Sequence, residues 1–482
     1  MVKKERDDMM EGIQIVNVPV QWINEGEKRL DAGFYAQDVI KARIILEKIA
    51  NKVEMQDLKD LAHDIFMPAL KVTIPFYDQG EEYLTQSEVE FFLPKARKKV
   101  NINKIENPDR WRVKSGYLLI SQSGTIGRIT IATRYLEKFI ISPNPIRIVI
   151  NENLRGYIYA FLSSWIGQAL IKSPQYGITV KHILPQHLYE IPIPRIPDLE
   201  EKINQKILEA HKLREEAQEL LLKAEEMIYS ELGLPKIDED EVEYFGGEIG
   251  RLVKAFVVKV SELDYRLDAS YHTPIAHLAI SNLLNTKSGY VKKLEKVADS
   301  FVPPRFKRPY VKEAKDGIPL LQGTHIPQIK PLDIKYIWKE MKNKEKYIVK
   351  KNWILVTCSG TIGRLALVSD YWDGWAATNH LLRIIPREGE INPGYLAAFL
   401  LTIYGQVQFQ RLVYGGVVDE IGEAGGHFKD ILILKPKDKS IEDEIGSLVI
   451  EAYNKKDRAN QIEGQTIKEL EQTLVRIAEN KK

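Results

Sequence analysis

Ser123-Gly124-Thr125-Ile126-Gly127-Arg128 returns letter for letter as Ser359-Gly360-Thr361-Ile362-Gly363-Arg364. One repeated hexamer can arise by chance, whereas a duplication requires the flanking residues to move by the same interval. They do, to within two residues. Arg29-Leu30-Asp31-Ala32 returns as Arg266-Leu267-Asp268-Ala269, and Arg147 returns as Arg383. Gly156-Tyr157 and Phe161-Leu162 return as Gly394-Tyr395 and Phe399-Leu400, while Gly167-Gln168 and Tyr176-Gly177 return as Gly405-Gln406 and Tyr414-Gly415. The chain is one unit written twice.

At 482 residues it exceeds a single core, since domains hold about 100–200 residues. Two large domains with connecting elements fit. No run approaches the roughly 20 apolar residues that span a bilayer. The opening Met-Val-Lys-Lys-Glu-Arg-Asp-Asp lacks an apolar signal core, so the expected location is the cytoplasm. A lone cysteine, Cys358, forms neither an intramolecular disulfide nor a multi-thiolate metal site. With 69 basic and 67 acidic residues the net charge is +2, so any DNA-binding surface must be local. Basic runs occur in both halves: Lys95, Arg97, Lys98 and Lys99, then Lys292-Lys293, Arg305, Lys307 and Arg308, and Lys342, Lys344 and Lys346. A single run of this kind is usually a solvated face; recurrence in both copies carries more weight.

Residues 1–11 read as a flexible start. The segments from Gly12 and from Leu252 read as strands that open each copy. Apolar residues at helical spacing predict helices over Val39–Ile49 and Ile275–Leu284. The copies diverge most over about 57–107 and 288–346, then agree again where a turn enters a buried strand at Val113–Ile120 and Val349–Val356. The hexamer follows, and Ile129–Ile131 and Leu365–Leu367 read as a second strand. Gly124 and Gly127 suit a tight connection. A short helix comes next in each copy (Tyr157 to Leu170; Tyr395 to Phe409), and prolines close each globular part at Ile191-Pro192-Ile193-Pro194 and Ile431 to Pro436.

Beyond the prolines, Ile203, Ile207, Ala210, Arg214, Ala217, Leu221, Ala224 and Ile228 make a heptad seam interrupted only at Arg214. The second copy gives Ile445, Leu448, Ala452, Ala459, Ile462, Thr466, Leu470, Leu474 and Ile477 in a looser register, weakened by Gly464. Two such stripes are expected to pack on each other. The expected organisation is a flexible segment 1–11, a globular part 12–197, a long helix 198–232, a linker 233–248 with the acidic run Asp238-Glu239-Asp240-Glu241, a second globular part 249–438 and a second long helix 439–482. The fold class is α+β, with two pseudo-symmetric heads and an antiparallel coiled coil.

No catalytic constellation emerges. The hexamer lacks the lysine and following helix of a nucleotide-binding loop. Asn392-Pro393-Gly394-Tyr395 repeats only its Gly-Tyr and reads as a helix start. Pro197-Asp198 with Glu200 and Lys202 sits at a helix N-terminus, where acids are stabilising. The histidines show no metal-ligand spacing. Arg128 and Arg364, beside exposed backbone amides, are candidates for meeting DNA phosphate or a guanine edge. Two similar heads on a rigid spacer suit two DNA half-sites.

The strand entering Ser-Gly-Thr-Ile-Gly-Arg in each half, the Gly-Tyr helix with Gly-Gln, the Ile-Pro-Ile-Pro exit and the long heptad helix together resemble the DNA-specificity subunit of type I restriction–modification enzymes. The resemblance covers nearly the whole chain. It implies one target-recognition domain per half of a split DNA sequence, a coiled coil that sets their distance, and no active site. It also implies docking of two methylation subunits, which bind S-adenosylmethionine and methylate adenine N6, and of restriction subunits that hydrolyse ATP with Mg. This chain then binds no cofactor itself. The alternatives are the specificity portion of a combined restriction–methylation enzyme, or a coiled-coil scaffold with two protein-binding heads.

The resemblance does not fix base contacts, so the DNA-binding candidates are physical: Lys95, Arg97, Lys98, Arg110 and Arg112 in the first variable region, Arg305, Lys307, Arg308, Gln322, Thr324 and His325 in the second, and Arg128 and Arg364 in the hexamers. Arg, Gln, Thr and His suit base edges, and lysines suit phosphates. Spacer packing and partner docking are assigned to Ile203, Ile207, Ala217, Leu221, Ile228, Ile445, Leu448, Ile462, Leu470 and Leu474.

Overall fold

The computed structural model describes residues 18, 20, 23, 34–69, 74, 76–77, 80–175, 181–237, 242, 255–263, 266–414, 419–421 and 427–480. The flexible start, the opening strand of the first copy, Arg29-Leu30-Asp31-Ala32, Tyr176-Gly177, Gly415 and the acidic run of the linker lie outside the described residues. In the second copy Phe256–Lys259 has no regular structure where a strand is expected.

Each copy builds the same four-stranded antiparallel sheet. In the first, the order is Ala62–Phe66, Ile146–Ile150, Leu118–Ile120, Ile129–Ile131; in the second it is Ala298–Phe301, Leu381–Pro386, Ile354–Thr357, Leu365–Leu367. The last two strands of each are a hairpin, with Leu118 opposite Ile131 and Ile354 opposite Leu367. The hexamer is therefore the tip of a hairpin. Helices Gln37–Ala50 and Pro274–Asn285 match the expected spans to within two residues. The proline-rich exits are strands too. Pro192–Arg195 pairs with Glu54–Asp57, and Leu432–Pro436 pairs with Gly289–Lys293. Proline survives there because each sheet has only two strands, leaving a free edge for a residue without an N–H.

The variable regions, unlike in sequence, are alike in topology. Phe76–Tyr77, Lys98–Val100 and Glu81–Leu84 form an antiparallel ladder in that spatial order, and Tyr310–Val311, Lys335–Trp338 and Gly317–Leu321 repeat it. No sequence signal survives because strands of two to five residues are specified mainly by what they pack against.

The chain clusters into two compact units. One comprises Met1–Thr73, Asn107–His211 and Gln461–Lys482; the other comprises Ile74–Glu106 and Lys212–Asn460. The division cuts both long helices, Pro197–Glu231 and Lys439–Glu479, and assigns part of the first copy's variable region to the second unit.

Within the first unit, Ile203 and Ile207 share a core with Leu470 and Leu474, and Glu469 bridges Lys202 at 2.5 Å and Lys206 at 2.7 Å. Within the second, Arg214 donates to Asn460 Oδ1 at 2.8 Å and Lys455 meets Glu216 at 2.8 Å. Partners descend along one helix as they ascend along the other, so the helices are antiparallel. The looser register expected for the second helix does not weaken it. Gly464 lies on its exposed face and the helix runs unbroken for 41 residues. Its buried side passes through Val449, Tyr453, Lys456 and Asn460, while Leu448 is only half-buried.

Candidate nucleic-acid interface

The hairpin tip is held identically in both copies. Ser121 N–H donates to Arg128 O at 2.9 Å and Gly127 N–H to Ser121 O at 3.0 Å, while Arg128 N–H donates to Ser121 Oγ at 2.9 Å. The Ser121 hydroxyl in turn donates to Thr125 O. In the second copy Thr357 makes the same set, including Arg364 N–H to Thr357 Oγ1 at 3.0 Å. Gly124 and Gly360 sit at the exposed tips with φ of 71° and 76°, a left-handed conformation that glycine adopts without steric cost.

The other repeated motifs prove to be the clamps around this loop. Gln168 donates its side-chain N–H to Gly127 O at 2.7 Å and to Leu162 O at 2.9 Å; Gln406 donates to Gly363 O at 3.1 Å and to Leu400 O at 2.8 Å. The preceding glycine has a steric reason: a Cβ on Gly167 would lie 2.2 Å from Phe161 O, and one on Gly405 2.4 Å from Leu400 Cα. Tyr157 donates to Pro194 O at 2.6 Å, and Tyr395 to Leu434 O, tying each Gly-Tyr helix to its exit strand. Arg147 and Arg383 are fully buried. The first donates to the carbonyls of Pro145, Trp111, Ile141 and Ser142, and the second to those of Ala377, Thr378 and Leu381. Burial pushes the Arg383 guanidinium down to about 10, so it stays charged at neutral pH.

Arg266 of the remaining motif pairs with Asp268 at 2.5 Å and lies over the Tyr271 ring. The suspect carboxylate Glu200 accepts from Arg195 and from Ile196 N–H, both at 2.8 Å. Cys358 is buried, which pushes its thiol up to about 11.

The proposed DNA contacts fall into three groups. Lys95, Arg97, Lys98, Arg110, Arg305, Lys307 and Thr324 are exposed. Several of these already have company: Lys95 meets Glu225 at 3.2 Å and Leu401 O at 2.9 Å, Arg110 lies 3.7 Å from Asp64 and over Phe66, and Arg305 lies 3.9 Å from Glu420. Arg112, Arg128, Arg308, Gln322 and Arg364 are half-buried. Arg364 lies 4.7 Å over the Phe91 ring, and burial followed by the charge of Arg97 lowers its pKa. His325 is buried, contrary to its assignment as a base reader: its Nδ1 accepts from Gln322 N–H at 3.2 Å and closes a turn.

Ile203, Ile207, Ala217, Leu221, Ile228, Ile445, Ile462, Leu470 and Leu474 are buried within the chain.

Some residues are visible only in three dimensions. His380, half-buried, joins Arg305 and Arg308 near the second hairpin; burial first, then those two arginines, hold its pKa below the ordinary value, against the pull of Glu420. Phe76, 44% exposed, carries Lys98 over its ring at 4.3 Å, and Tyr310, 48% exposed, carries Lys335 at 5.4 Å. Each variable sheet thus displays an open aromatic face with a lysine above it, a pairing suited to bases and phosphates. No sequence spacing signals these pairs, because strand register brings them together.

Residues 291–422 match the family model described as the type I restriction modification DNA specificity domain. The matched stretch contains the second hairpin, the second variable sheet, and Arg305, Arg308 and His380. Among solved structures the chain is similar to the type I restriction–modification S subunit from M. genitalium, at 12% identity and TM-score 0.34, covering 90% of this chain and 98% of that one. It is also similar to the HsdS subunit from Thermoanaerobacter tengcongensis, at 13% identity and TM-score 0.28, covering 88% and 96%. No curated protein matches it. Among the described residues no helix is long and apolar enough to cross a membrane.

Proposed function

We propose that the chain is the sequence-specific DNA-binding subunit of a type I restriction–modification system, reading a bipartite duplex target with one half-site per copy. The observation that carries this reading is the recurrence of the specificity domain's frame in the first copy: strand order, hairpin bonds, Gly-Gln clamp and buried arginine all repeat. Two such domains on antiparallel helices meet two half-sites, as symmetric readers do. The exposed lysines and arginines of the variable sheets supply phosphate contacts, and the aromatic faces and hairpin tips supply base contacts. The outer helix faces dock two methylation subunits, which hold S-adenosylmethionine, and through them restriction subunits that use ATP and Mg. The chain itself performs no chemistry.

The test is to co-express the chain with the methylation subunit encoded beside it and map N6-methyladenine across the host genome. A single motif with two defined ends and an unspecified middle is expected. A complex that forms without producing any motif would favour a scaffold, and failure to form one would remove the reading. Binding should also weaken steeply with salt, since each neutralised phosphate releases counterion.

A further inference from the structure

The first copy's variable region does not end at its own sheet. Phe91 pairs with Gln328 in an antiparallel bridge. Phe92 N–H donates to Pro327 O at 2.7 Å, and Ile329 N–H donates to Glu90 O at 2.9 Å. Glu90 stands to Phe92 as Pro327 stands to Ile329, so the two bonds are one bond seen twice around a local twofold through Phe91 and Gln328. The turn before each strand repeats as well: Thr85 N–H is capped by the Glu88 carboxylate at 2.8 Å, and Gln322 N–H by His325 at 3.2 Å.

The long helices complete the symmetry. Gln218 donates to Phe92 O at 2.7 Å, and Asn460 donates to Ile329 O at 2.9 Å. Both amides are buried. Beneath them the ammonium of Lys456 lies 5.3 Å from the Phe92 ring, 4.7 Å from Tyr453 and 4.6 Å from Trp372, with Asp457 at 3.9 Å. Arg364, at the base of the second hairpin tip, covers the Phe91 ring. The ladder thus joins a variable segment of one copy, a variable segment of the other, both helices and one hairpin. Each outer carbonyl of the ladder, Phe92 O and Ile329 O, is met by one helix amide, and losing that amide costs it a hydrogen bond.

We propose that the Phe91–Gln328 ladder, with Gln218 and Asn460 as positioning residues, locks the two variable segments into one reading unit, so that disturbing one segment changes reading at both half-sites and the spacing between them. This rests on the bipartite reading proposed above. Were the two copies independent readers, exchanging residues 57–112 would alter one half of the target alone. An exchange that keeps 85–93 alters one half, and one that replaces them alters the other half or the spacer as well.

Two measurements on the complete chain test it. In Gln218→Leu, which removes the helix hydrogen bond to the first copy's strand, amide hydrogen exchange should accelerate about tenfold at Phe92 and also at Ile329. In the complex with the methylation subunit, the same variant should methylate its motif with mixed spacer lengths or lose both half-sites together, and Gln218→Asn should restore part of the single spacer. Unchanged exchange at Ile329 overturns the coupling. Coupled exchange with an unchanged motif overturns its role in reading. Absence of any bipartite motif in the unaltered complex sinks the bipartite reading itself, and the proposal with it.

Discussion

Two pairs of arginines separate the parts of this molecule. Arg147 and Arg383 occupy the same place in each copy, fully buried and spent on backbone carbonyls. Arg128 and Arg364 are also repeated, yet their side chains are only half-buried and Arg364 lies on an aromatic ring of the other copy. Identical letters thus mark a frame in one case and, in the other, a backbone bond shared by both copies with a side chain left for local use. The N–H of Arg128 and Arg364 belongs to the hairpin. Exact repetition here reports the mould, and the proposed reading surface lies where the copies differ.

That contrast breaks first if the buried arginines prove dispensable. Arg147→Met or Arg383→Met removes a buried guanidinium with its three or four hydrogen bonds to backbone carbonyls, which should cost about 3 kcal/mol or more. Chemical denaturation followed by circular dichroism reads this directly, and melting like that of the unaltered chain would show that the frame does not depend on them. A gentler probe asks whether the two copies are equal. Gln168→Leu and Gln406→Leu each remove a clamp on a hairpin tip, with an expected loss of about 1–2 kcal/mol in either copy and faster exchange at the Gly127 or Gly363 amide. Unequal losses would show that the tips have diverged in more than their side chains.

The smallest effect concerns the variable surface. His380 has a folded pKa below its ordinary value of 6.5, so the unfolded chain takes up its proton first as pH falls. Its contribution is fully present above about pH 6.5 and is lost as pH drops through that value towards the lower folded pKa. His277, lowered by burial and then by Arg411, adds to the same slope. The melting temperature should therefore fall between about pH 7.5 and about pH 5.5, and His380→Gln should flatten part of that fall. An unchanged slope in the variant would place His380 away from the arginine cluster.

Much of the frame was legible from letters alone. Repetition located the hairpin, because Gly124 and Gly360 must be glycine at φ near 70° and the flanking strands are buried and β-branched. Spacing located both long helices. Spacing says least where polar side chains do packing. Arg214, Gln218, Lys456 and Asn460 interrupt an apolar seam yet are buried, since hydrogen bonds and ring faces satisfy them, and no periodicity rule anticipates such partners. His325 looked like a base reader for the opposite reason: a turn of its own chain consumes its Nδ1.

The letters alone establish that one fold is written twice, that each copy ends in a long amphipathic helix, and which glycines, tyrosines and arginines recur in both copies. Those facts follow from local sterics and period, which are carried by neighbours in the chain. Only the tertiary structure decided that Ile74–Glu106 clusters with Lys212–Asn460, that the variable sheets share one strand order, and that Phe91 meets Gln328. Each depends on residues far apart in sequence whose pairing is settled by burial and hydrogen-bond satisfaction across the fold, and neither leaves a periodic trace in the letters.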